Sequence, residues 1–158
     1  MEAAKTPEKA PAKPRKSRSI RAKSKGLEGT AVDSSQFQTK KVVAFDSAEE
    51  NLHYPGLQDV DPRDVNTRRA DVVLIDVRQP EEYTGELGHI PGSQLLPLGQ
   101  IEEQLNTLPK DKTIVFVCRS GGRSARAGAY ALEHGYTHLY NMKGGMLLWN
   151  ELHLPTEV

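Results

Sequence analysis

One cysteine stands where an apolar segment meets a glycine-rich turn. In the stretch VFVCRSGGRSA, residues 115–125, Cys118 follows apolar residues and precedes Gly121 and Gly122, with Arg119 before the glycines and Arg123 after them. A cysteine thiolate is a nucleophile and a metal ligand, but one cysteine provides neither an intramolecular disulfide nor a site of several thiolates. The pattern therefore predicts nucleophilic sulfur chemistry at Cys118.

The turn after Cys118 can surround the sulfur with main-chain N–H groups. Glycine adopts a positive φ readily, so Gly121 and Gly122 let successive amides curl toward one centre. We expect the next helix to start at or near Arg123, where unpaired amides and the helix dipole favour an anion. These features stabilise a thiolate and can hold a transferred anionic atom. The alternative is a buried structural cysteine, which has no use for such donors.

Short apolar strands alternate with helical segments in the rest of the domain. The sequence predicts buried strands at 71–77, 113–118 and 138–142 and a short strand within 92–98. It predicts helices opening at Pro62, with Asp61 as N-cap, and at Pro80, and further helices within 98–108 and 123–135. This alternation indicates an α/β fold with a mainly parallel central sheet and helices on both faces.

The predicted topology places the thiol beside polar residues. Ligands of open α/β sheets bind outside the carboxyl ends of the strands, and parallel strands end on the same side. Cys118 ends one strand, and Asp76 and Arg78 close another. We therefore expect these side chains to share one edge of the sheet.

The N-terminal segment differs in composition from the domain. Residues 1–41 carry eleven Lys and Arg against four Asp and Glu, although the whole chain has 21 of each. The composition predicts a basic, disordered tail over residues 1–45 and a folded domain over residues 46–158. A further hypothesis is a weak, non-specific contact of residues 1–25 with a polyanion. With no apolar run of membrane-spanning length and no secretory signal, we expect a soluble, cytoplasmic protein without membrane contact.

Two long stretches carry a resemblance to a known family. The segment LIDVRQPEEYTGELGHIPGSQLLPL and the later FVCRSGGRSARAGAYALEHGYTHLYNMKGGMLLW resemble the single-domain rhodanese (thiosulfate sulfurtransferase) family over about residues 57–155. The resemblance implies a three-layer α/β fold, no cofactor, and a double displacement through a cysteine persulfide. Its donor would be thiosulfate or a persulfide, and its acceptor a thiol, cyanide or a protein.

The resemblance also implies roles for individual residues. Cys118 would attack the outer sulfur of the donor, and the persulfide would rest in a substrate-binding loop made of Arg119, Ser120, Gly121, Gly122 and Arg123. Arg123 either orients the donor or ties the loop to a carboxylate such as Asp76 or Glu82, and the residues alone leave both roles open.

The remaining polar residues of this edge are expected to support the loop. An unpaired Asp76 carboxylate would repel a nearby thiolate, so Asp76 needs a cationic partner. We therefore expect supporting roles, rather than acid or base catalysis, for Asp76, Arg78 and Glu82. His89 is expected in a structural turn. We expect no metal site.

Two rival functions remain from the sequence. Cysteine phosphatases and arsenate reductases place five residues between cysteine and arginine, whereas four separate Cys118 from Arg123, a ring that suits a sulfur atom better than a phosphate. The second rival is a persulfide carrier without turnover, or a protein-interaction module, which would share the same loop.

Overall fold

A six-stranded sheet organises the chain. The structure, a computed structural model, describes Val32 and residues 34–158. Its strands and helices run in the order β1 (Glu49–Glu50), β2 (Gln58–Val60), α1 (Pro62–Thr67), β3 (Val73–Asp76), α2 (Pro80–Tyr83), β4 (Gln94–Leu95), α3 (Ile101–Gln104), β5 (Ile114–Val117), α4 (Gly122–Glu133), β6 (Leu139–Met142) and α5 (Gly145–Glu151). The strand order is β1-β2-β6-β5-β3-β4, and every neighbouring pair is parallel except β1 and β2. The predicted, mainly parallel sheet is confirmed.

The two faces of the sheet bury separate apolar clusters. Along β5, Ile114 and Phe116 contribute to one cluster, while Val115 and Val117 contribute to the other. The first cluster contains residues of α3 and α4, and the second contains residues of α1 and α5. Because successive side chains of a strand point to opposite faces, a strand covered on both sides is apolar throughout. The predicted three layers, with helices on both faces, are confirmed.

The helices begin where the sequence places their signals. Asp61 caps α1 by accepting a hydrogen bond from the N–H of Arg63, and prolines occupy the first turns of α1 and α2. The helix after the cysteine loop begins at Gly122, one residue before the predicted start. It ends before Gly135, whose φ of 92° supplies the predicted stop.

The helix predicted within 98–108 is broken into three short pieces. One α-helical turn, Ile101–Gln104, lies between 3₁₀ turns at Leu98–Gln100 and Leu105–Thr107. The hydroxyl of Thr107 donates to the carbonyl of Gln104, a local side-chain bond that competes with regular helix.

Residues before the predicted domain boundary contribute to the core. Phe37, Val43 and Phe45 are buried, although the sequence analysis placed them with the tail. The N–H of Val43 donates to the hydroxyl of Thr113, the residue before β5. The predicted disordered tail covers residues 1–45 and the predicted polyanion contact residues 1–25; residues 1–31 and residue 33 lie outside the described residues.

Within the described part of the chain, no helix is both long enough and apolar enough to cross a membrane.

Candidate active site

Cys118 lies directly after β5, at the carboxyl edge of the sheet. Its side chain is buried, with 1% of the residue exposed. The main-chain N–H of Gly121 donates to Sγ at 3.1 Å. Gly121 has a φ of 106°, a backbone conformation that L side chains rarely adopt, and this turns its amide back toward the sulfur. The structure therefore brings the predicted nucleophile and a predicted donor together.

The first turn of α5 orients the start of the loop. The N–H of Met146 donates to the carbonyl of Cys118 at 2.8 Å, and the N–H of Leu147 donates to the carbonyl of Arg119 at 2.9 Å. Since a trans peptide points its N–H away from its carbonyl, the amides of Arg119 and Ser120 point away from α5. The last helix of the domain thus sets the direction of the loop amides.

Several loop amides have no acceptor in the protein. Among the described residues, the N–H groups of Ser120, Gly122 and Arg123 donate to no main-chain or side-chain acceptor. These residues flank the amide that already bonds Cys118 Sγ. Unpaired amides of this kind next to a helix N-terminus suit an added anionic atom.

The two arginines of the loop have different surroundings. Arg119 is exposed, and its side chain forms no ion pair or hydrogen bond within the part of the chain that the structure describes. Arg123 donates to both carboxylate oxygens of Glu82, at 2.8 and 2.9 Å. Of the two roles left open for Arg123, the geometry matches the tie between loop and carboxylate, with Glu82 as the carboxylate.

The Arg123–Glu82 pair perturbs both groups. The hydrogen bond from Arg123 lowers the pKa of Glu82 from 4.5 to about 2, although partial burial opposes that shift. The pKa of Arg123 is raised, first by Glu82 and to a smaller degree by the charge of Cys118. The carboxylate of Glu82 thus holds the guanidinium of Arg123 by two hydrogen bonds.

The Glu82→Gln variant is expected to lose stability in a pH-dependent way. A carboxyl whose pKa is lowered by folding contributes stability above its unfolded pKa, and that contribution is lost as the pH falls through the folded value. The stability gap between the native protein and the variant should be constant above about pH 5.5 and shrink between pH 4.5 and about 2. Urea unfolding of both proteins across this range measures the gap.

Glu81→Gln is the matched control, because Glu81 lies in the same first turn of α2 and is exposed. A gap of equal size and pH dependence in the two variants would contradict a specific role of the Glu82 pair.

Asp76 and Arg78 form a buried ion pair at the end of β3. Both side chains are 1% exposed, and the guanidinium of Arg78 bonds both oxygens of Asp76 at 2.8 to 3.2 Å. Arg78 also donates to the carbonyls of Glu82 and Gly88. Because Arg78 bonds both oxygens of Asp76, Asp76 serves as the partner of Arg78. Arg78 in turn fixes the chain segment that carries Glu82 through its bonds to the carbonyls of Glu82 and Gly88.

His89 lies against Tyr83. The rings of His89 and Tyr83 stack with centroids 3.7 Å apart, and Nδ1 lies 2.9 Å from the Tyr83 carbonyl. The main chain of His89 pairs with Glu157. These contacts match the structural turn expected for His89.

Sequence reasoning missed a polar group that contacts the sulfur. Ser124 is buried in α4, with Oγ 3.2 Å from Cys118 Sγ and also within hydrogen-bonding distance of Asn141 Oδ1. Asn141 in turn donates to Asp59 at 2.9 Å. The available signals were a serine on the small-residue face of α4 and an asparagine in the otherwise apolar end of β6.

Comparison with known proteins identifies the family. The model of the rhodanese-like domain family matches residues 61–152, more than half of the chain. The chain belongs to the rhodanese-like domain family. The predicted resemblance is confirmed.

Three proteins similar to this rhodanese-like domain carry names that state sulfur transfer. A sulfurtransferase from Allochromatium vinosum is 36% identical over 102 residues, covering 63% of this chain and 94% of the relative. The thiosulfate sulfurtransferase GlpE of Pseudoalteromonas translucida is 37% identical over 81 residues, 51% of this chain and 75% of the relative. The polysulfide-sulfur transferase homodimer from Wolinella succinogenes has a TM-score of 0.57 at 30% identity, covering 65% of this chain and 79% of that one. Sulfur transfer is the class of reaction that these comparisons support.

Proposed function

We propose that this rhodanese-like domain transfers a sulfane sulfur from thiosulfate or a persulfide to a thiophilic acceptor through a persulfide on Cys118. The observation that carries the proposal is the environment of Sγ. The sulfur is buried and bonded by the amide of Gly121, and the neighbouring amides of Ser120, Gly122 and Arg123 lack acceptors among the described residues. This arrangement suits one additional sulfur anion.

The first half-reaction needs no general base. The Cys118 thiolate attacks the outer sulfur of the donor, an S–S bond forms, and the donor's own S–S bond breaks. Sulfite or a thiolate leaves with the electron pair. The terminal sulfur of the new persulfide is anionic, and the open amides of the loop stabilise it.

The second half-reaction returns the enzyme to its starting state. A nucleophilic acceptor attacks the terminal sulfur, and the Cys118 thiolate leaves with the electrons of the S–S bond. The chain has one cysteine, so no internal thiol competes for the persulfide. The sulfur therefore passes to an acceptor from outside the chain, such as a small thiol, cyanide or a protein.

Arg119 is the residue suited to an anionic donor. Its guanidinium is exposed at the loop and unpaired within the described part of the chain, whereas Arg123 is held by Glu82. An unpaired guanidinium near the nucleophile attracts a thiosulfate dianion and can bond its oxygens. We assign Arg119 to donor recognition and Arg123 to holding the loop.

Two measurements test the function. Thiosulfate treatment is expected to add the mass of one sulfur atom to the intact protein, and cyanide is expected to remove it as thiocyanate with continuous turnover. A stable additional sulfur with negligible turnover would favour a persulfide carrier. No added sulfur from thiosulfate or from a small-molecule persulfide would overturn the proposal.

A further inference from the structure

The hydroxyl of Ser124 faces two acceptors with one proton. Its oxygen lies 3.2 Å from Cys118 Sγ and also contacts Asn141 Oδ1. A serine hydroxyl donates a single hydrogen bond, while it can accept others. Which acceptor receives the proton depends on which atom of the Asn141 amide faces Ser124.

A fixed amide near the surface starts the network. The main-chain N–H groups of His53 and Tyr54 donate to Asn51 Oδ1 at 2.8 and 2.9 Å. An N–H needs an oxygen here, so the Nδ2 of Asn51 points the other way and donates to Asp59 Oδ1 at 2.8 Å. Asp59 Oδ1 thereby accepts a hydrogen bond from an amide whose orientation is fixed.

Asp59 fixes the second amide. Asp59 and Asn141 are register partners on the parallel strands β2 and β6. A carboxylate only accepts hydrogen bonds, so Asn141 directs Nδ2 to Asp59 at 2.9 Å and Oδ1 to Ser124. The amide oxygen of Asn141 therefore competes with Cys118 Sγ for the one proton of Ser124.

We infer that Asp59, acting through Asn141, sets the direction of the Ser124 hydroxyl and thereby limits how far Ser124 stabilises the Cys118 thiolate. The inference rests on the proposed function of Cys118. In the thiol, Ser124 donates to Asn141, and its oxygen accepts from the sulfhydryl. When the sulfhydryl releases its proton to solvent, Ser124 can donate to Sγ only by giving up Asn141, which leaves a buried amide oxygen unpaired.

This arrangement affects the reactivity of each thiolate. A thiolate that is stabilised less is a stronger nucleophile, so competition for the Ser124 proton speeds attack by each thiolate while it lowers the fraction of Cys118 that is ionised. In the persulfide the inner sulfur carries no charge, and Ser124 donates to Asn141 again. When the acceptor takes the terminal sulfur, charge returns to Sγ and the hydroxyl can turn to it. Asp59 and Asn141 are positioning residues for both half-reactions.

Charge provides a second route by which Asp59 could act on the sulfur. Charged side chains stand on the loop and on the elements around it: Asp59, Asp76, Arg78, Glu82, Arg119, Arg123 and Lys143. Removing Asp59 changes this set as well as the network. The test must separate the loss of the charge from the loss of the acceptor.

Two substitutions of Asp59 make that separation. Asp59→Asn removes the charge but keeps an oxygen that can accept from Asn51 and Asn141. Asp59→Ala removes both and lets the Asn141 amide turn its Nδ2 toward Ser124, which frees the hydroxyl for the sulfur. Asp59 lies only partly buried beside a cavity of about 570 Å³, so both variants are expected to fold.

The experiment is the pH profile of alkylation by iodoacetamide, which reports on Cys118 alone because the chain has one cysteine. Asp59→Ala should move the midpoint of the profile to lower pH by about 0.5 to 1 unit and lower the plateau rate, while Asp59→Asn should stay within about 0.2 unit of the native protein. In a Ser124→Ala background, Asp59→Ala should lose most of its effect.

Two outcomes would overturn the inference. Equal shifts in Asp59→Ala and Asp59→Asn would mean that charge acts alone. An Asp59→Ala shift that is absent, or unchanged without Ser124, would remove the link through the hydroxyl. Alkylation requires no sulfur donor, so either result leaves the proposed sulfur transfer to be judged by persulfide formation in intact mass.

Discussion

Replacing Cys118 with alanine is expected to reduce sulfur transfer to the uncatalysed background, a loss of at least about a thousandfold. The chain contains one cysteine, so no second thiol can take over the attack on the donor. The open loop amides can still bind an anion, but binding without a nucleophile forms no persulfide. Thiocyanate production from thiosulfate and cyanide measures the loss, and intact mass shows whether sulfur is added.

The fold should survive this change. Cys118 is buried in an apolar cluster, so the alanine variant should lose about 1–2 kcal/mol of unfolding free energy. Cys118→Ser keeps the side-chain volume and serves as the matched variant, with the same expected loss of transfer. Urea unfolding of both variants separates loss of the nucleophile from loss of the fold. Substantial transfer by either folded variant would exclude the proposed mechanism.

The sequence predicts the centre of the sheet well because its signals there are local. The strands β3 and β5 are apolar on both faces, so they stand out as continuous runs. The position of Cys118 at the carboxyl edge follows from strand direction alone. The N-cap Asp61 and the stop at Gly135 are also local signals, and the structure confirms both.

The edge of the sheet escapes sequence reasoning because its signals depend on tertiary contacts. β2 has three residues, and two of them are at least partly exposed. Its sequence has no hydrophobic pattern typical of a strand, and its strand conformation depends on pairing with β6. Asn51 meets Asp59 through the pairing of β1 with β2, and Asn141 meets Asp59 through the pairing of β2 with β6. Their shared role near Ser124 therefore depends on contacts between strands, one of which joins residues 82 positions apart.

The partner of Arg123 is a similar case. The sequence offers Asp76 and Glu82 as carboxylates near the loop, and residue types do not choose between them. The structure pairs Asp76 with Arg78 inside the protein, which leaves Glu82 for Arg123. Burial decides which carboxylate pairs with Arg123. Asp76 is removed from water and therefore requires a cation of its own, which is Arg78.

The two glycines at the start of α5 connect the last helix to the cysteine loop. Gly144 and Gly145 have φ values of 75° and 58°, and the two residues that follow donate to the carbonyls of Cys118 and Arg119. The turn must therefore approach the loop backbone closely. Close backbone approach at positive φ is a position that only glycine fills without strain.

Gly145→Ala is expected to damage both stability and transfer. A Cβ at this position would lie 2.5 Å from the carbonyl oxygens of Cys118 and Arg119, and backbone atoms cannot yield as a flexible side chain can. The strained φ and the overlap together should lower the unfolding free energy by about 2–5 kcal/mol. Moving the loop carbonyls also turns the loop amides, so persulfide formation should fall at least about tenfold. Urea unfolding and the rate of sulfur addition from thiosulfate measure the two effects.

Gly99→Ala is the control for the loss of a glycine. Gly99 has no positive φ, and a Cβ there would meet no atom within 4 Å, so stability should change by less than about 0.5 kcal/mol. Persulfide formation should match that of the native protein, since Gly99 makes no contact with the loop carbonyls. If Gly145→Ala behaved like Gly99→Ala in both measurements, the turn before α5 would not be what directs the loop amides toward Cys118. The orientation of those amides would then have to come from Gly121 and the start of α4.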